Sequence, residues 1–134
     1  MMKKSIYRVS AALLLATTLA QQPSLAHHSV AAGFEMDQEI TRTGKISAME
    51  WTNPHARMYF DVTDEEGNVE TWIAWFSSSN NLFRRGWRAG DLPVGETITV
   101  NGFPARDGAL QIYGGDTTLP DGRILFGGNA PGER

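Results

Sequence analysis

This sequence predicts a small all-β fold, rich in strands with one short helix, and three observations predict it. Apolar and polar residues alternate with a period of two in residues 39–51 and 55–63, as half-buried strands require. Turn-forming pairs, Asn53-Pro54, Asp107-Gly108 and Asp121-Gly122, cut the chain into strand-length pieces. Only Ser77-Ser78-Ser79-Asn80-Asn81 gathers helix N-cap residues ahead of a helix-like spacing of apolar side chains.

Taken in order, residues 29–38 read as an extended lead-in, with Val30 and Phe34 as apolar anchors that can fold back on the domain. Residues 39–51 read as the first strand. Ile40, Ile46 and Ala48 fall on one parity, and Thr41, Thr43, Lys45 and Ser47 on the other. Gly44 inside it marks a bulge or a sharp bend, and Pro54 stops it by removing a ladder donor. The second strand, residues 55–63, sets Met58, Phe60 and Val62 against Arg57, Tyr59 and Asp61. Asp64-Glu65-Glu66-Gly67-Asn68 is a hairpin loop by composition. The third strand, residues 69–76, is apolar on both parities, which predicts cover on both faces.

The helix shows Leu82, Phe83 and Trp87 on its apolar side and Arg84, Arg85 and Arg88 on its solvated side; Gly86 or Gly90 ends it. Leu92-Pro93-Val94-Gly95 turns into a fourth strand at 96–103, with Ile98 and Val100 inward. Residues 109–113 make a fifth strand and 123–126 a short closing one, ahead of a tail at 127–134. The order β-β-β-α-β-β at these lengths resembles the OB-fold, a five-stranded Greek-key barrel. No internal repeat or low-complexity segment interrupts it.

Residues 1–26 read as a signal peptide. Lys3, Lys4 and Arg8 form a basic start, residues 9–20 a short apolar run, and Ser24-Leu25-Ala26 a cleavage site with small residues at the two positions a signal peptidase reads. Thr18-Leu19-Ala20 offers a second cleavage point. The apolar run falls short of the about 20 residues that span a bilayer, so the expected product is an exported, periplasmic or secreted chain without a membrane span. Residues 27–134 then form one domain, long enough to bury roughly 60–70% of its unfolded surface.

The chain has no cysteine, which removes disulfides and thiolate chemistry together. Cleavage after Ala26 takes away three of the twelve basic residues and no acid, leaving nine bases against fifteen acids, a charge of −6. An acidic domain without a basic run is poorly suited to nucleic acid.

Ala26-His27-His28-Ser29, Phe34, Trp51-Thr52-Asn53-Pro54-His55, Arg84-Arg85-Gly86-Trp87, residues 102–108 and residues 118–123 together resemble a family of small exported bacterial proteins of uncharacterised function. The resemblance covers nearly all of the mature chain. It implies export and a single β-rich domain, and no activity comes with it.

The candidate chemistry lies in the three histidines, His27, His28 and His55. Cleavage after Ala26 would make His27 the first residue, where its amine and ring chelate one ion; copper(II) favours such nitrogen donors above the other divalent first-row ions. His55 supplies a distant imidazole to complete a histidine brace, and His28 can substitute for His27. Glu35, Asp37 or Glu50 could fill an outer position or orient a ring. Against this stands a plainer reading, with a solvated histidine pair and His55 capping a turn.

Trp51, Tyr59, Trp72, Trp75 and Trp87, with Tyr113, support an alternative, a metal-free binding module that engages a protein or saccharide partner through an aromatic face. Tryptophans in a small domain also build cores. An enzyme is the least supported class. No nucleophile elbow or phosphate loop is present, and the carboxylates gather in a hairpin instead of pairing.

Overall fold

A computed structural model describes residues 32–126. Among these run six strands and one short α-helix, with a single 3-10 turn at Ala89–Asp91: β1 (Ile40–Glu50), β2 (Arg57–Thr63), β3 (Val69–Trp75), α1 (Ser79–Arg84), β4 (Thr97–Pro104), β5 (Gln111–Thr118) and β6 (Ile124–Phe126). The strands bond in the order β3-β2-β1-β4-β5-β6, and a parallel pairing of β3 with β5 closes the first five into a barrel. This is the OB topology that the element order predicts.

Closure depends on β1 serving two neighbours, β4 along Ile40 to Lys45 and β2 along Lys45 to Glu50. The changeover sits beside Gly44, where an added Cβ would lie 2.5 Å from the carbonyl oxygen of Asp61. Any side chain there would push the two strands apart. The register then slips between Ile46 and Ala48, a bulge. The extra residue reverses the side-chain parity, so Ile46 is buried while Ala48 faces solvent. Plain alternation had put the two on one face.

Ile46, Met58, Phe60, Ala74, Ile98, Val100 and Ile112 fill the core. Ser78 caps α1 by accepting the Asn81 N–H at 3.2 Å, and Gly86, at φ 94°, follows its end. The helix and the segment after it add Leu82, Trp87 and Leu92 to the same core, the Trp87 ring lying 5.9 Å from that of Phe76.

Two sequence expectations need correction. The outward residues of β3 are not covered: Val69 is exposed, and Ile73 and Trp75 are half-buried. Their apolar character serves a surface. The fifth strand runs on to Thr118, because Gly114 and Gly115 lie inside it at φ 63° and 91°, where the register against β4 shifts between Asn101 and Phe103. The glycine pair is a bulge, not a strand end.

The hairpin between β2 and β3 closes as its composition predicts. The Asn68 side chain and backbone N–H both donate to the Asp64 carboxylate, at 2.8 and 2.7 Å. These bonds, the side-chain one first, hold its carboxyl below the ordinary aspartate value. The stabilisation they give is present above the unfolded aspartate range and is lost as pH falls through the lowered value. In an NMR titration, Asn68→Ala is expected to raise the Asp64 pKa back towards the ordinary value. An unchanged titration would show that the side-chain bond does not set it.

Candidate functional site

The loop Trp51-Thr52-Asn53-Pro54-His55 joins β1 to β2, and four hydrogen bonds give it a fixed shape. Thr52 Oγ1 donates to the His55 carbonyl at 2.9 Å, and the Thr52 carbonyl accepts the Ser79 N–H at 3.0 Å. Asn53 Oδ1 accepts Ser79 Oγ–H at 3.0 Å and Asn80 N–H at 3.3 Å. The chain therefore enters β2 already tied to the first turn of α1. Two further backbone bonds continue the tie, Ala56 N–H to the Ser77 carbonyl and Phe76 N–H to the Ala56 carbonyl.

His55 stands at the end of this loop, half-buried, with its ring 6.1 Å from that of Trp75 at 65°. Nδ1 lies 3.0 Å from the Phe76 carbonyl oxygen. A carbonyl oxygen only accepts, so Nδ1 carries the hydrogen. In the neutral ring Nε2 is then the lone-pair nitrogen, and no other described residue engages it.

Strand register assembles the rest of the face. Glu50, Arg57 and Trp75 are consecutive cross-strand partners on β1, β2 and β3, and Tyr113 of β5 adjoins Trp75. The Arg57 guanidinium lies 5.3 Å from the Trp75 ring centre and pairs with Glu50 at 2.5 Å. Tyr59 donates to the same carboxylate at 3.2 Å, and Trp75 Nε1–H donates to Gln111 at 3.0 Å. Phe34 packs its ring 5.2 Å from Tyr113, while Arg106 pairs with Glu35 at 2.9 Å and donates to the Ala32 carbonyl at 3.1 Å.

The residues expected from sequence divide in three. His55, Trp51, Tyr59 and Trp75 are all half-buried, and Tyr59, Trp75 and His55 belong to the face just described. Trp72 and Trp87 lie in the core, at 7% and 4% exposure, so of the expected aromatic set it is Trp51, Tyr59 and Trp75 that reach the surface. His27 and His28 lie outside the described residues. Among the described residues no group of three or more His, Asp or Glu side chains is placed to hold a metal. Of the acids expected to orient a ring, Glu50 is held by Arg57 and Tyr59 and Glu35 by Arg106, and the His55 ring is oriented by a backbone carbonyl instead.

Two members of the face, Arg57 and Gln111, are not singled out by the aromatic pattern of the sequence. Arg57 was findable, because it shares the outward parity of Tyr59 two residues away. Gln111 was not, since its place depends on the β3–β5 closure.

The family model for a family of unknown function, DUF6152, matches residues 15–113. The chain belongs to that family. This agrees with the resemblance to a family of uncharacterised function carried by its motifs. A DUF6152 chain of this kind is also similar to a solved structure, the dimeric N-terminal domain of PriB protein from Thermoanaerobacter tencongensis. The identity is 17% and the TM-score 0.44, covering 71% of this chain and 98% of that one. No curated protein matches the DUF6152 sequence. No helix among its described residues is long and apolar enough to cross a membrane.

Proposed function

We propose that this protein is exported to the periplasm, cleaved after Ala26, and binds a transition metal there, copper by preference, as a carrier or sensor. In this reading His55 binds through Nε2, His27 through its amine and ring, and His28 serves as substitute or auxiliary ligand. The supporting observation is the Nδ1–H bond to the Phe76 carbonyl, because ligating histidines commonly donate their second nitrogen to a backbone carbonyl, which fixes the ring and leaves Nε2 basic. Copper(II) suits imidazole and amine donors, and the chain has no thiolate to favour a softer ion.

The half-exposed Trp51, Tyr59 and Trp75 favour a second reading, a metal-free module that holds a protein or saccharide partner on this face. Copper titration of protein processed by its own signal separates the two. The expected result is an intact mass beginning at His27 and one site tighter than about micromolar, roughly −8 kcal/mol, that is lost with chelator. A mature chain beginning at Gln21, or no saturable site, contradicts the metal reading. Partner binding indifferent to chelator would support the second.

A further inference from the structure

We infer that Asn53 is a positioning residue for His55, acting through the first turn of α1, an inference that deepens the metal reading and rests on it for its functional meaning. The first N–H groups of a helix have no partner inside it. Here Ser78 Oγ, the usual N-cap, takes only the third, from Asn81. The other two are taken by the loop that carries His55: the Ser79 N–H by the Thr52 carbonyl and the Asn80 N–H by Asn53 Oδ1. Ser79, itself 7% exposed, spends its hydroxyl on the same Asn53 oxygen. The loop and the helix therefore cap each other.

His55 depends on this arrangement from both sides. Its own carbonyl is held by Thr52, and its ring is held by Phe76, three residues before Ser79. A loop released from Ser79 and Asn80 can shift relative to the Phe76 carbonyl. The ring would then be free to exchange which nitrogen carries the hydrogen and which faces outward. Both bonds to Asn53 use Oδ1 as an acceptor, and no described residue takes its amide hydrogens. The chemistry required at position 53 is thus an oxygen acceptor of this length, which aspartate keeps and alanine lacks.

The test compares Asn53→Ala and Asn53→Asp with the parent by nitrogen-15 NMR of the His55 ring in the metal-free protein, followed by copper(II) titration of each. The parent and Asn53→Asp are expected to show the Nδ1–H tautomer, and Asn53→Ala a mixture of both. Copper affinity is expected to fall at least about tenfold in Asn53→Ala and to return to within about threefold of the parent in Asn53→Asp. Rescue by aspartate separates positioning from mere destabilisation, which is followed in parallel by thermal unfolding. An Asn53→Ala protein with the parent tautomer and parent copper affinity overturns the inference, as does an Asn53→Asp protein that behaves like alanine. A parent that takes no copper sinks the metal reading alone, because the tautomer series is read without metal and still decides whether Asn53 orients the ring.

Discussion

His55→Ala is expected to weaken copper(II) binding at least about a hundredfold, which corresponds to about 2.7 kcal/mol, while the barrel stays folded. The change removes one imidazole, and outer partners of such ligands already cost ten- to a hundredfold when lost. The cost to the fold is small by comparison. His55 is half-buried and makes one ring hydrogen bond, to Phe76, whose loss costs about 1 kcal/mol. The control is Trp75→Ala, which removes a ring beside His55 without removing a donor to the metal. Isothermal titration of the two proteins is expected to separate them. Parent-like affinity in His55→Ala would take His55 out of the site. Loss of a protein or saccharide partner in Trp75→Ala, with copper affinity unchanged, would move the aromatic face ahead.

Gly115→Ala is expected to cost the most stability, more than about 4 kcal/mol, out of the about 5–15 kcal/mol that holds a domain of this size together. Gly115 lies at φ 91°, and a Cβ there would sit 1.5 Å from the Asn101 carbonyl oxygen and 2.9 Å from Gly102 Cα. No rotamer relieves that overlap, since both atoms are backbone, so the β4–β5 pairing must open. Opening it also threatens the β3–β5 closure, because Tyr113 of the same strand pairs with both Phe103 and Trp75. The expected signs are insoluble protein or a melting temperature lowered by at least about 15–20 °C. Gly108→Ala is the comparison. It also has positive φ, 78°, but nothing within 4 Å of its added Cβ, and is expected to cost only about 1–2 kcal/mol. Equal losses at the two positions would mean that conformation and not close approach sets the penalty.

What the sequence could reveal of this fold follows from where the determining contacts lie. Alternation placed β2 correctly, because Met58 and Phe60 pack inward along an unbroken ladder with β3. The hairpin at Asp64 to Asn68 and the cap at Ser78 are local chemistry within a few residues, and both were legible. Ala48 and Gly114-Gly115 depart from simple alternation for one reason: each lies at or beside a bulge, whose presence is set by the neighbouring strand and leaves only a glycine or nothing in the local pattern.

The candidate site shows the same division. His55 was legible as a distinctive residue in a proline-terminated loop, and its ring orientation was not, because the Phe76 carbonyl lies 21 residues away. Trp75 and Trp72 look alike in sequence but differ by one residue of parity. That single step puts Trp72 into the core under Arg42, whose guanidinium lies 4.7 Å from its ring, and puts Trp75 on the surface beside His55. The anchoring of the lead-in on Tyr113 through Phe34 was anticipated as an apolar fold-back, whereas the tie of Arg106 to Glu35 and the Ala32 carbonyl depends on the β4–β5 hairpin lying alongside.

The central claim is that His55 is a metal ligand, and electron paramagnetic resonance of the copper(II)-loaded, signal-processed protein tests it most directly. The expected spectrum is a single type of site with nitrogen hyperfine structure that includes imidazole, and the His55→Ala spectrum has one imidazole fewer. A spectrum of oxygen coordination alone, or a nitrogen pattern that His55→Ala leaves unchanged, would contradict it.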